Sequence, residues 1–213
     1  MTDPSWLHQT RRSYDLVAAD YAELLRDELG AKPVDRAMLA AFVELVQAGG
    51  GGPVADLGCG PGRITGHLAA LGLDVHGVDL SSAMVEVARQ TYPELGFVEG
   101  SMSDLDIADG ELAGIVAWYS VIHTPTELLP EVFAEFARVL RPGGQLLVAF
   151  QAGSERVRLE QAYGHPVSLV VHRRSPEEAT ALLRDAGLHV HARLVREPEH
   201  WEKCPQAYLL ARR

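Results

Sequence analysis

Two rhythms of apolar residues alternate along this chain. Short runs rich in β-formers, at residues 54–57, 75–79, 97–99, 112–122, 145–150, 189–195 and 206–210, read as strands. Between them, apolar residues recur every three or four positions, as on one face of a helix. Leu16, Val17, Leu24 and Leu25 mark such a stripe over residues 13–29, with Gly30 as its stop. A second helix is predicted over residues 34–47. A third opens at Arg63 with Ile64, Leu68 and Leu71 on one face, and a fourth runs from Ser81 or Ser82 to about Gln90. Thr124-Pro125-Thr126-Glu127 has the spacing of a capping box with proline at the first helical position. Leu128, Leu129, Val132, Phe133, Phe136 and Leu140 follow as its stripe, and Arg141-Pro142-Gly143-Gly144 stops it. Ser175-Pro176-Glu177-Glu178 opens the last helix, which ends at Gly187. Strands and helices alternating through short joins predict an α/β fold, a parallel sheet covered on both faces.

Two stretches depart from this rhythm. Residues 151–174 form a long insertion after the fifth strand, polar at first and β-rich from Pro166 to His172, where such folds build substrate walls. The other is Asp56-Leu57-Gly58-Cys59-Gly60-Pro61-Gly62. Three glycines in five residues allow a tight turn and let a ligand lie against bare peptide. In an α/β sheet that turn stands at the carboxyl end of the first strand, where ligands bind. Asp79 ends the second strand, 21 residues after Gly58, where a carboxylate grips a ribose diol. A dinucleotide site uses GxGxxG, whose third glycine faces a pyrophosphate. Here the spacing is GxGxG, and Arg63 holds that third-glycine position. Asp56 suits a cationic ligand better than a pyrophosphate; S-adenosylmethionine carries a sulfonium and an ammonium.

At these residues the chain resembles the class I S-adenosylmethionine-dependent methyltransferases of small-molecule type. Asp56 to Gly62 is similar to their first motif and Val78-Asp79-Leu80-Ser81 to their second. The likeness continues through residues 100–105, 115–123 and 138–144, and covers residues 14–150 well. The resemblance implies a Rossmann-like three-layer sandwich with a seven-stranded, mostly parallel sheet and an antiparallel last strand, as one domain over residues 1–213. It implies that Tyr14-Asp15-Leu16-Val17-Ala18-Ala19-Asp20-Tyr21 belongs to an N-terminal helical lid (residues 1–48), with Tyr14 and Tyr21 on the cofactor. A helix that simply packs two tyrosines on the core is the plain alternative. The resemblance also implies that Asp56 and the turn Gly58, Cys59 and Gly60 hold the methionine end, and that Asp79 and Leu80 hold the ribose. Ser101, where the family often has an acid, and Met102 would face the adenine. Ala117 and Trp118 would flank the sulfonium.

Charge limits the partners. A net charge of −10 over 213 residues argues against nucleic acid or an anionic membrane, because both need clustered Lys and Arg. Arg156, Arg158, Arg173 and Arg174 are the candidates for a local basic patch, with a solvated surface as the alternative. No apolar run reaches membrane-spanning length or forms a signal core, so a cytoplasmic protein is expected; whether it is a monomer or a homodimer stays open. Two cysteines suggest neither disulfides nor a metal site, and His189-x-His191 is a weak zinc pattern.

Methyl transfer is an in-line displacement on an activated electrophile, so positioning matters most and a base is optional. His123 is the candidate base, with a packing role as the alternative; Tyr119 and Tyr14 offer hydroxyls on the same side. His165 and His172 could touch substrate from the insertion, while His189, His191 and His200 read as surface residues. The expected activity is transfer of a methyl group to an O or N atom of a small molecule. The rivals are an NAD(P)-dependent oxidoreductase, which the glycine spacing disfavours, and a non-catalytic S-adenosylmethionine-binding protein.

Overall fold

The computed structural model describes residues 5–199 and 201–213. Its strands are β1 (Val54–Leu57), β2 (Val75–Asp79), β3 (Gly96–Glu99), β4 (Leu112–Trp118), β5 (Leu140–Gln151), β6 (Arg156–Ala162), β7 (His165–His172), β8 (His189–Arg196) and β9 (Gln206–Arg212). The helices are α1 (Ser5–Leu25), α2 (Pro33–Ala48), α3 (Arg63–Ala70), α4 (Ser82–Thr91), α5 (Leu129–Val139) and α6 (Pro176–Asp185). Seven strands join in the order β3-β2-β1-β4-β5-β9-β8. The first four pairings are parallel, and β9 runs antiparallel to β5 and β8. This is the mostly parallel sheet with an antiparallel last strand that the sequence led us to expect.

Strand alternation sorts the core into two faces. Ile115, Ala117, Leu146 and Val148 pack with Phe133 and Phe136 of α5 and Leu183 of α6. Their neighbours Val116, Leu147 and Ala149 point the other way, onto Leu39 and Phe42 of α2 and Leu68 of α3. Each large side chain so buried contributes roughly 1.5–3 kcal/mol, so both helical layers are held by the sheet between them. The ends of β1, β2 and β4 that carry Gly58, Asp79 and Trp118 then open on one edge of this sandwich. Among the described residues no helix is long and apolar enough to cross a membrane.

Several boundaries differ from the sequence reading, each for a local reason. Helix α1 begins at Ser5, not at residue 13, and its buried positions are Ser13, Val17 and Ala18. Leu16 and Leu24 are 50% and 67% exposed, because α1 docks on α4 and β7 rather than on the central sheet. Leu71 lies past the end of α3 and is exposed. Strand β4 stops at Trp118: Tyr119 adopts φ 54°, and residues Val121–His123 form a short 3-10 turn. The capping box at Thr124 does not form. Thr124 is buried with its N–H on Val121 O, so it belongs to the preceding turn, and α5 starts only at Leu129. Residues 141–144 lie inside β5 as an irregularity between the Leu112↔Leu140 and Gly114↔Gln145 pairs. At Ser175 the cap is made, its hydroxyl accepting from Glu178 N. The insertion holds one strand that was foreseen, β7, and one that was not, β6. They form a two-stranded ribbon turning at Tyr163 and Gly164, both with positive φ as two-residue hairpin turns require. One side of β6 is exposed and the other only half-buried, through Val157 and Leu159, which is why β6 reads as polar.

Candidate functional site

A cleft of about 810 Å³, counting its open mouth, lies over the strand ends. Its floor is the glycine loop after β1, Asp79 and Leu80 after β2, and residues 100–103 after β3. Trp118, Tyr119, Ser120, His123 and Thr124, after β4, form the opposite wall, and α1 lies over the mouth with Trp6, Leu7, Thr10, Tyr14 and Tyr21.

The loop has to be glycine at position 58. Its φ is 73°, and a Cβ there would stand 2.3 Å from Ser120 Cβ. Gly60 has φ 55°, and the nearest atoms to a Cβ there are Tyr21 and Met84, at 3.9 and 4.0 Å, so its peptide is bare on the cleft side. Gly60 N donates to one Asp79 oxygen (2.7 Å) and Ser81 N to the other (2.8 Å). A carboxylate has about four lone-pair sites, so each oxygen can accept once more. Burial raises Asp79 to about 6, against the pull of those two N–H groups. Asp56 lies behind the loop, fully buried; Thr65 donates to its Oδ2 (2.7 Å), and its Oδ1 has no partner among the described residues. Burial first, with the nearby Asp79 adding, pushes Asp56 up to about 7. A half-buried carboxylate and a fully buried one with an unmet oxygen, together with bare glycine peptide, fit a cationic adenosine cofactor better than a pyrophosphate.

His123 is wedged between two partners. Its Nδ1 faces Val170 O (2.8 Å) and its Nε2 faces the Tyr14 hydroxyl (2.7 Å). Burial lowers its pKa to about 4, so the ring is neutral near pH 7. A carbonyl only accepts, hence Nδ1 carries the proton and Tyr14 donates to Nε2. Arg174, 2% exposed, fixes the turn around this ring: it donates to the carbonyls of Val121 (3.3 Å), His172 (2.9 Å) and Thr124. Arg174 is therefore no part of a solvated basic patch. Tyr119 turns its hydroxyl to Tyr208 (3.0 Å), which donates to buried Asp35 (2.7 Å). Burial holds the Tyr119 phenol far above its usual range.

Of the residues singled out in the sequence, Tyr14, Tyr21, Gly58, Gly60, Asp79, Leu80, Ser101, Met102, Trp118, Tyr119 and His123 meet on the cleft. Asp56, Cys59 and Ala117 do not line it: Cys59 packs on Val85, Ala88 and Phe97, and Ala117 lies within the sheet core. His165 pairs with Asp20 of α1 (2.7 Å), and neither His165 nor His172 lines the cleft. The hairpin as a whole backs α1 and His123 instead of forming the wall. His191 faces Gln145, His189 is exposed, and His200 lies outside the described residues. Trp6, Leu7 and Thr10 were missed because nothing in residues 5–12 makes an apolar stripe. Ser120 was missed because the strand reads through it, and Thr124 because its spacing reads as a helix cap.

Helix α1 buries only a small apolar face, Val17 and Ala18 on Met84, and polar contacts anchor it further. Asp15 accepts from Ser81 Oγ (2.7 Å) and from Ala83 N (3.3 Å) at the start of α4, where helix N–H groups favour an anion. Ser13 Oγ accepts from Ser168 N (3.1 Å). Contacts of this kind open more readily than a packed core. Hydrogen exchange over residues 10–29 is therefore expected to slow when S-adenosylhomocysteine is added; unchanged protection would show a static helix.

Comparison with known proteins agrees with this geometry. Residues 54–144 match the family described as a methyltransferase domain. A demethylmenaquinone methyltransferase from Beutenbergia cavernae is 31% identical over 157 residues, covering 74% of this chain and 64% of that relative. The chain thus spans less than two thirds of that relative's length. A Leishmania major S-adenosylmethionine-dependent methyltransferase superposes with a TM-score of 0.78 at 18% identity, over 99% of this chain and 85% of its own. The magnesium protoporphyrin IX methyltransferase of Synechocystis PCC 6803, with bound S-adenosylmethionine, gives a TM-score of 0.74 at 17% identity, covering 100% and 99%. These two likenesses show the shared fold.

Proposed function

We propose that the chain is a class I S-adenosylmethionine-dependent methyltransferase that transfers a methyl group to an O or N atom of a small molecule. The observation that carries this reading is the convergence of bare Gly60 peptide and Asp79 on a cleft whose far wall holds the Tyr14–His123 pair. When bound, the cofactor supplies a methyl group on a sulfonium, which needs no further activation. Asp79 would accept from the ribose hydroxyls with its two remaining lone pairs. Gly58 and Gly60 would lie along the methionine end, and Asp56 would favour its positive charge from behind the loop. Ser101 and Met102 would bound the adenine, and Trp118 the reacting centre. Aromatic side chains of α1 close over the cleft and exclude water, which strengthens each of these contacts.

A protic acceptor must also lose a proton. Tyr14 Oη could take it while passing its own proton to His123 Nε2. His123 is a weak base at about 4, so the pair mainly orients the acceptor and hands the proton on to water. Calorimetry is expected to show binding of S-adenosylhomocysteine and little binding of NAD or NADP; a dinucleotide bound as tightly would overturn the assignment.

A further inference from the structure

The hydrogen bonds on the acceptor wall run in one direction. Val170 O accepts from His123 Nδ1, which leaves Nε2 as a lone pair, and Tyr14 donates into it. The Tyr14 proton is thereby committed, and what its oxygen can still offer a ligand is a lone pair. A ligand group meeting Tyr14 must therefore bring its own hydrogen. The cleft is rich in aromatic side chains: Tyr14 meets His123 (5.4 Å) and Tyr21 (6.1 Å) edge-on, and Trp6 and Trp118 also line it. Among the described residues, the charged side chain on the cleft is Asp79, with Asp56 buried behind it. Both repel an anion, and among the described residues no cationic side chain lines the cleft to offset the water an anion would lose; Arg174, behind His123, is spent on three carbonyls.

Resting on the methyltransferase reading above, we infer that the acceptor is an uncharged, ring-bearing molecule that presents an O–H or N–H to Tyr14, and not a carboxylate or phosphate. The polarity of the pair gives the selection: a phenol-like hydroxyl donates to Tyr14 Oη, a carboxylate meets it lone pair to lone pair, and an ether has nothing to donate. A buried polar group left without its partner is costly, and discrimination of about tenfold is expected, about 1.4 kcal/mol.

The test uses the full chain loaded with S-adenosylhomocysteine, with calorimetry of that loading done first. Three ring-matched probes are then titrated, 1-naphthol, 1-methoxynaphthalene and 1-naphthoate, by quenching of tryptophan fluorescence. 1-Naphthol is expected to bind about tenfold tighter than either of the others. In Tyr14→Phe, which keeps the ring, the preference for 1-naphthol over 1-methoxynaphthalene should fall to about twofold or less. If S-adenosylhomocysteine does not bind, the methyltransferase reading fails and takes this inference with it. If it binds but 1-naphthoate matches 1-naphthol, or no probe binds at millimolar concentration, or Tyr14→Phe keeps the full preference, the inference fails alone.

Discussion

Asp79→Ala is expected to weaken S-adenosylhomocysteine binding roughly ten- to a hundredfold by calorimetry, about 1.5–3 kcal/mol, the range for hydrogen bonds to a charged group. The structure adds a second cost. Both carboxylate oxygens already accept backbone N–H groups, from Gly60 and Ser81, so alanine also frees the glycine loop. Asp79→Asn should lose less than alanine, because one oxygen remains, yet its amide must meet one of those N–H groups donor to donor. Proton linkage gives an independent readout. The free protein holds Asp79 near 6 and Asp56 near 7, both raised by burial. Raised acids stabilise the fold below their unfolded values near 4, and that contribution is lost as pH rises through 6 to 7. A ligand whose hydroxyls donate to the ionised carboxylate reverses this preference. Affinity should therefore rise about three- to tenfold between pH 5.5 and 7.5, with proton release, and Asp79→Asn should flatten the slope. Normal binding by a well-folded alanine variant would reduce Asp79 to a strand-end residue.

The parts of this site legible in the sequence are those built within one short segment. Glycine spacing at Gly58 and Gly60 and the strand-end position of Asp79 are local, and these residues meet on the floor of one cleft. The acceptor wall is not local. The His123 contacts come from residues 109 positions before it and 47 after it, so no window of sequence contains the pair or its backing carbonyl. The end of β4 differs because Tyr119 to Ile122 is apolar enough to continue a strand, while a positive φ at Tyr119 is unusual for a non-glycine residue. Asp15 shows the same limit. Its sequence marks it as one more surface acid on a helix, and only tertiary docking makes it the anion at the start of α4. Cys59 and Ala117 turn their side chains into the core: adjacency to the cleft in sequence does not decide which way a side chain turns.

His123→Ala is expected to lower turnover by about 10–10²-fold, while His123→Gln should stay within about tenfold of the wild type. The alanine variant strands the Val170 carbonyl and the Tyr14 hydroxyl, each worth about 1–3 kcal/mol when buried and unpaired, so thermal stability should fall too. Glutamine can accept from Tyr14 through its oxygen and donate to Val170 through its nitrogen, but it cannot take a proton. The two variants thus separate orientation from basicity. The pH profile separates them again. A histidine depressed to about 4 by burial gives stability that is complete above its unfolded value near 6.5 and is lost as pH falls towards 4. Between pH 6 and 8 its charge does not change, so kcat at saturating cofactor should show no histidine limb there. A limb near 6 to 7 should appear instead in the KM for the cofactor, through Asp79 and Asp56. If kcat at saturation falls with a midpoint near 6.5, and His123→Gln removes that limb, then His123 acts as a base and the wall does more than hold the acceptor in place. The orientation reading is the one the geometry favours, because a ring that already accepts from Tyr14 and donates to Val170 has no free nitrogen for a substrate proton until Tyr14 gives up its own.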